Sequence, residues 1–343
     1  MPRALSCRSA VAALAAAAAL GPLGACHDAP TASSTPVDTV ALGAAAAGIT
    51  QARIDAHVAF LAGDALRGRL TPSPQLALAA EYIGGEFRAA GAQPGGNSGF
   101  FQPIPCGPVS SLSATNVVAL LPGSDSRRKG EWVVVSAHFD HMGVGLPDAR
   151  GDSIYNGADD NASGTAALIE VARAFASSTQ APPRSLAFVA VSGEEQGLIG
   201  SQYFVEHVPA GIGRMVANVN LDMLGRNAPD LLYLVGDSIT TLGDVARAQV
   251  AAHAELRFHA YSVNGGGTYA ASDQFSFALA GVPAIFLHTG GHPQLHTPAD
   301  EVRLLDTDKI TRAARLAFYL TWAVASAEGK PAFTPSGQRW LAT

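Results

Sequence analysis

Cysteine is scarce in this chain of 343 residues: the three present are Cys7, Cys26 and Cys106. Cys106 stands alone in the body, so a disulfide framework is excluded if Cys26 is lipidated or removed, and any metal must rely on His and carboxylates. Basic charge is also short. The 22 Lys and Arg are outnumbered by 28 Asp and Glu, the net charge is -6, and no basic cluster occurs, so the electrostatic footprint of nucleic-acid binding is missing. Beyond the N-terminal segment no apolar run approaches the roughly 20 residues needed to span a bilayer as a helix. What the chain does have is apolar content, 48% of its residues, enough for the substantial core of a globular enzyme.

At the N-terminus, Arg3 and Arg8 accompany an apolar stretch, Ala10 to Leu20, that is too short to cross a membrane and reads as an export signal over residues 1–25. Leu23-Gly24-Ala25-Cys26 resembles the bacterial lipoprotein processing site, in which the Cys becomes the lipidated first residue; Ala25 equally suits ordinary signal cleavage. Either way an exported protein is expected: periplasmic, attached to the outer membrane through a lipidated Cys26, or secreted. Residues 26–48, rich in Ala, Thr, Ser and Pro, predict a flexible tether. A single body is expected over 49–330, followed by a tail at 331–343.

Within the body, Gln51 to Gly91 carries a helical pattern, with Ala79, Ile83, Phe87 and Ala90 on one face and Gly91 as a stop. The apolar, β-branched runs Asn116–Leu121 and Trp132–Ala137, separated by Pro122-Gly123-Ser124-Asp125, read as a hairpin. A helix is predicted over Ser163–Ala176 and a buried strand over Ser185–Ser192. Met215–Leu221, Leu231–Val235 and Ala284–Leu287 continue the strands, and Leu242–Ala252 and Thr307–Ala325 the helices. The alternation argues for an α/β fold: a mixed, mostly parallel central sheet with helices on both faces.

Chemistry-bearing residues follow the predicted strands, where open α/β sheets place their ligand sites. His138-Phe139-Asp140-His141 ends one strand. If the segment is extended, His138 and Asp140 face one side as ligand and orienting carboxylate, and His141 points elsewhere. Asn156-Gly157-Ala158-Asp159-Asp160-Asn161-Ala162-Ser163-Gly164 opens a helix; Asn161 or Ser163 would cap it, yet two adjacent acids exceed what capping needs. Glu194-Glu195 follows the Ser185 strand, and paired carboxylates repel unless a cation or a proton separates them. Asp222 ends an otherwise apolar strand, a costly place for an acid unless it is solvated, paired or metal-bound. The fifth segment is Leu295-His296-Thr297-Pro298-Ala299-Asp300. Each has a plain structural explanation alone; together they form a donor set suited to a metal.

In the order and context of these five segments the chain resembles the co-catalytic two-zinc aminopeptidases, which include secreted bacterial leucine-type aminopeptidases and the related glutamate carboxypeptidases. The likeness covers roughly residues 50–330 and implies a zinc-peptidase/phosphorylase-like fold. It also implies two Zn2+ per chain: His138 and Asp222 on one, Glu195 and His296 on the other, Asp160 rather than Asp159 bridging. Glu194 matches the general base, Asp140 the acid that orients His138, and the peptide bond after Asp160 is expected to be cis. The implied substrates are peptides with a free N-terminus. Gln274 stands where the family often has His, and Leu295 where several members have Tyr, which leaves the side-chain preference open. No insertion separates Gly99–Phe101 from the Asn116 strand, so the protease-associated domain of many relatives has no place here. Two other readings share the fold. A single-zinc glutaminyl cyclase lacks the two-metal pattern present here, and a non-catalytic binding member would have lost ligands that this chain keeps.

Overall fold

The computed structural model describes residues 38–105, 114–263 and 266–342; the expected export signal, Cys26, the first part of the tether and Cys106 lie outside the described residues. The helices are α1 (Thr39–Ala47), α2 (Gln51–Leu61), α3 (Pro74–Ala89), α4 (Gly164–Ser177), α5 (Ile199–Glu206), α6 (Leu242–Ala252), α7 (Gly266–Tyr269), α8 (Gln274–Leu279), α9 (Thr307–Ser326) and α10 (Pro335–Leu341). The strands are β1 (Gln93–Pro94), β2 (Phe101–Ile104), β3 (Ala114–Leu121), β4 (Glu131–His138), β5 (Gly143–Val144), β6 (Ile154–Tyr155), β7 (Ser185–Val191), β8 (Arg214–Leu221), β9 (Leu231–Val235), β10 (His259–Val263) and β11 (Ala284–His288).

Nine of these strands form one sheet in the order β1-β3-β7-β4-β8-β11-β9-β10, with β2 also on β3, and β5 pairs separately with β6. The centre, β7-β4-β8-β11, is parallel, while β3 meets β7 and β9 meets β11 antiparallel. The sheet is mixed, as the alternation of elements predicts. The hairpin between Asn116–Leu121 and Trp132–Ala137 does not form: β7 lies between them and pairs with both. Its seven buried residues fit a strand that is paired on both edges and covered on both faces.

Period-two alternation sends successive side chains to opposite faces. Val133, Val135, Ala137, Phe188, Ala217, Val219 and Leu287 join the larger core with α2, α3, α4 and α9, whereas Val134, Ala187, Val189 and Ala284 pack with Phe204 of α5 and Phe277 of α8. Two boundaries need correction. Within the supposed tether, Asp38 caps α1 through the N–H groups of Val40 and Ala41, and Leu42, Ala45 and Ala46 are buried in the core. The supposed tail carries α10, whose Trp340 packs edge-on to Tyr269, with Phe333 and Leu341 on the same cluster. Among the described residues no helix is long and apolar enough to cross a membrane.

Candidate metal centre and active site

Parallel pairing puts the carboxyl ends of β7, β4 and β8 side by side: His138 is level with Val191, and Ser136 with Asn220. The strand run therefore delivers His138, Glu194-Glu195 and Asp222 to one edge of the sheet. A fourth acid comes from the irregular turn Ala158–Ser163, where Asp160 leads into a cis peptide with Asn161. Several bonds fix that turn. Asp300 accepts the backbone N–H of Asp159 and of Asp160; Asn161 donates to the Leu221 carbonyl and accepts from the N–H of Gly164 and Met223. Gly164 is needed there, since a Cβ would come within 2.3 Å of the Leu221 carbonyl oxygen.

Asp160 lies between two histidines. Its Oδ1 is 3.2 Å from His138 Nε2, which is 3.4 Å from Asp222 Oδ1. Its Oδ2 is 3.0 Å from His296 Nε2, which is 3.3 Å from Glu195 Oε2. The five residues expected as metal ligands thus come together as two clusters that share Asp160. Asp159 turns away and accepts the N–H of Gly225 at 2.6 Å. On the far side of the His138 ring, Nδ1 is 3.7 Å from Asp140 Oδ1, and that carboxylate also accepts the Glu194 N–H. Ser272 donates to Asp222 Oδ2 and Thr165 to the His138 carbonyl.

Both ring nitrogens of His138, Asp222 Oδ1 and Glu195 Oε1 are buried without a hydrogen-bonded partner. Unpaired polar atoms cost free energy when buried, and a cation would satisfy them together. Electrostatics agree. Burial opposes charge on His138, but Asp222 and Glu194 hold its proton affinity well above the ordinary value, and Asp160, despite burial, is held well below its own by His138 and His296. Burial, reinforced by Asp273, Asp222 and Asp160, pushes Glu194 up to about 10. A dication would lower it by replacing that repulsion with attraction. Imidazole nitrogens and carboxylate oxygens are the donors zinc accepts, so the residues fit the implied metal.

Sequence reasoning missed three contributors. His141 does not point away: Nδ1 lies 2.6 Å from Glu195 Oε1, because β4 ends at His138 and strand alternation stops there. The wholly buried Arg69 donates to the carbonyls of Phe139, Asn156 and Gly157, tying the His138 and Asp160 loops together; Leu61 supplies another carbonyl. No periodicity marks a side chain of that kind. Asp300 stood in a quoted motif without a role, since backbone acceptors leave no spacing signature.

Beside the clusters, a cavity of about 260 Å³ is lined by the acids Asp160, Glu194 and Asp222 and, among others, by the apolar Met223, Phe286 and Leu295. The fold and this edge-of-sheet cluster define an open-sheet α/β protein with a candidate metal centre beside a cavity. Residues 116–321 match the family described as Peptidase family M28, and the chain belongs to that family. It is 27% identical over 58% of its length to Aminopeptidase YwaD of Bacillus subtilis, covering 42% of that protein. It is 32% identical over 54% of its length to a protein of Pyricularia oryzae named probable zinc metalloprotease, covering 37% of it. The chain thus spans less than half the length of these two relatives. Among solved structures, the LapA aminopeptidase of Legionella pneumophila superposes with a TM-score of 0.70 over 85% of this chain and 76% of that one, at 22% identity, which shows the shared fold.

Proposed function

We propose that the chain is a two-zinc aminopeptidase that removes residues from the N-terminus of peptides. The observation that carries the reading is the pair of His and carboxylate clusters that share Asp160 beside the cavity: His138 with Asp222, and Glu195 with His141 and His296. His138 and Asp222 would hold one zinc, Glu195 and His296 the other, with Asp160 between them. Bound there, two zinc ions would lower the pKa of a shared water and polarise the scissile carbonyl. Glu194, in the cavity lining, would accept a proton from the attacking water and return it to the leaving amine. Asp140 keeps the His138 ring turned so that Nε2 faces Asp160 and Asp222. The apolar part of the cavity lining, Met223, Ala271, Phe286 and Leu295, suits an uncharged side chain. Zinc added back to metal-free protein should restore cleavage of an unblocked peptide and leave its N-acetylated form intact. Cyclisation of an N-terminal Gln without hydrolysis would favour the cyclase instead, and the absence of any turnover a binding protein.

Export is part of the proposal. The charged start, short apolar stretch and Leu23 to Cys26 support removal of residues 1–25 and a lipidated Cys26. Cys26→Ser is expected to release the protein from membranes in soluble form; unchanged membrane association and a parent of unmodified mass would exclude the lipid.

A further inference from the structure

One polar side chain in the centre has no place in the five-ligand set. His141 is fully buried, and its two ring nitrogens, like the Glu195 Oε1 they approach, have no hydrogen-bonded partner. Two atoms bound to one tetrahedral zinc at about 2.0 to 2.2 Å lie roughly 3.3 to 3.5 Å apart. The contacts of His138 with Asp160 and Asp222, 3.2 and 3.4 Å, and those of His296 with Asp160 and Glu195, 3.0 and 3.3 Å, fall close to that spacing. His141 belongs by position to a group with Asp160 and Glu195 that could hold an ion, its Nδ1 lying 3.7 Å from Asp160 Oδ2, but at 2.6 Å from Glu195 Oε1 it is closer than two ligands of one zinc would stand. The oxygen it approaches is also not the one facing His296, which is Oε2. Its ring cannot easily move. The His141 N–H is bonded to the Arg69 carbonyl, and the ring lies so near Gly157 that a Cβ there would come within 2.4 Å of Cγ.

We propose that His141 is a positioning residue for the second metal site: its Nδ1, held 2.6 Å from Oε1 of Glu195, fixes that oxygen so that Oε2 is presented to the ion beside His296. The inference rests on the two-zinc reading and adds a residue outside the ligand set. A carboxylate free at both oxygens can rotate away or bind through either one; a carboxylate tied at Oε1 offers a single orientation. Loss of a group that orients a ligand lowers metal affinity by about 10- to 100-fold.

Stepwise zinc affinities, measured on the full chain by competition with a chromophoric chelator, test this directly. His141→Ala is expected to weaken the second zinc about 10- to 100-fold and to leave the first essentially unchanged. His141→Asn, whose side-chain amide puts an N–H close to the position of Nδ1, is expected to restore most of the second affinity. A purely space-filling role would not distinguish the two variants by hydrogen-bond donation, and a ligand role would not be rescued by an amide. The proposal is overturned if the Ala variant binds the second zinc as the parent does, or if the Asn variant is as weak as Ala. A parent that takes up only one zinc overturns the two-zinc reading and this inference with it, whereas a two-zinc parent with an unaffected Ala variant overturns the inference alone.

Discussion

Glu194→Gln is expected to lower kcat by about 10²- to 10⁴-fold while both zinc ions stay bound, the usual range for loss of a general acid-base group. The side chain lines the cavity, and none of its atoms takes part in the two clusters that share Asp160. The amide keeps the volume and the neighbouring contacts, so KM should move much less than kcat. What is lost is the cavity-lining carboxylate that the proposal leaves out of the ligand set, the other two acids of the lining, Asp160 and Asp222, being ligands. Zinc content measured with kcat on the same preparation checks this. Loss of an ion in this variant would mean that Glu194 is a ligand.

The neighbouring substitution should fail in the opposite way. Glu195 Oε2 lies 3.3 Å from His296 Nε2 and Oε1 2.6 Å from His141 Nδ1, so the carboxylate faces the second cluster with both oxygens. An amide is a poor zinc ligand and removes a negative charge beside a dication. Glu195→Gln is therefore expected to hold about one zinc per chain as purified, and to regain part of its activity in excess metal. Elemental analysis across a zinc series decides it; two ions retained at low free zinc would reverse the assignments of the two glutamates.

The chain displays the roles of these acids more openly than their arrangement. Strands β4, β7 and β8 are buried almost throughout because both faces of the sheet are covered, so they read as unbroken apolar runs, and the polar residues after them stand out as a site. Sheet order is less legible. Two apolar runs joined by a turn look like a hairpin, and nothing local in Asn116–Leu121 or Trp132–Ala137 reveals that β7, which begins only at Ser185, will lie between them. Small residues also mislead. Thr39–Ala47 has a linker's composition, yet Leu42, Ala45 and Ala46 are small enough to pack closely against α4 and α9, and Asp38 supplies the cap. Period arguments end where elements end. The alternation that placed His138 and Asp140 together was carried one residue too far and lost His141. Arg69 and Asp300 were illegible for another reason: they act on backbone groups of segments distant in sequence, and such bonds leave no trace in either partner's residue type.

The adjacent acids Asp159 and Asp160 show the division of labour most clearly. Residue type alone makes them equivalent, and only the resemblance singles out Asp160. In the folded turn one carboxylate is spent on the Gly225 N–H and the other is left between two imidazoles. That asymmetry is why the proposal puts Asp160, and not Asp159, between the two ions.

The most direct measurement is a titration of the metal-free chain with zinc, following release of the N-terminal residue from an unblocked peptide at each step. The expected result is that two equivalents bind, that full activity requires the second, and that the acetylated peptide is untouched throughout. Full hydrolytic activity at one equivalent, or equal cleavage of the acetylated peptide, would contradict a two-zinc aminopeptidase centred on Asp160.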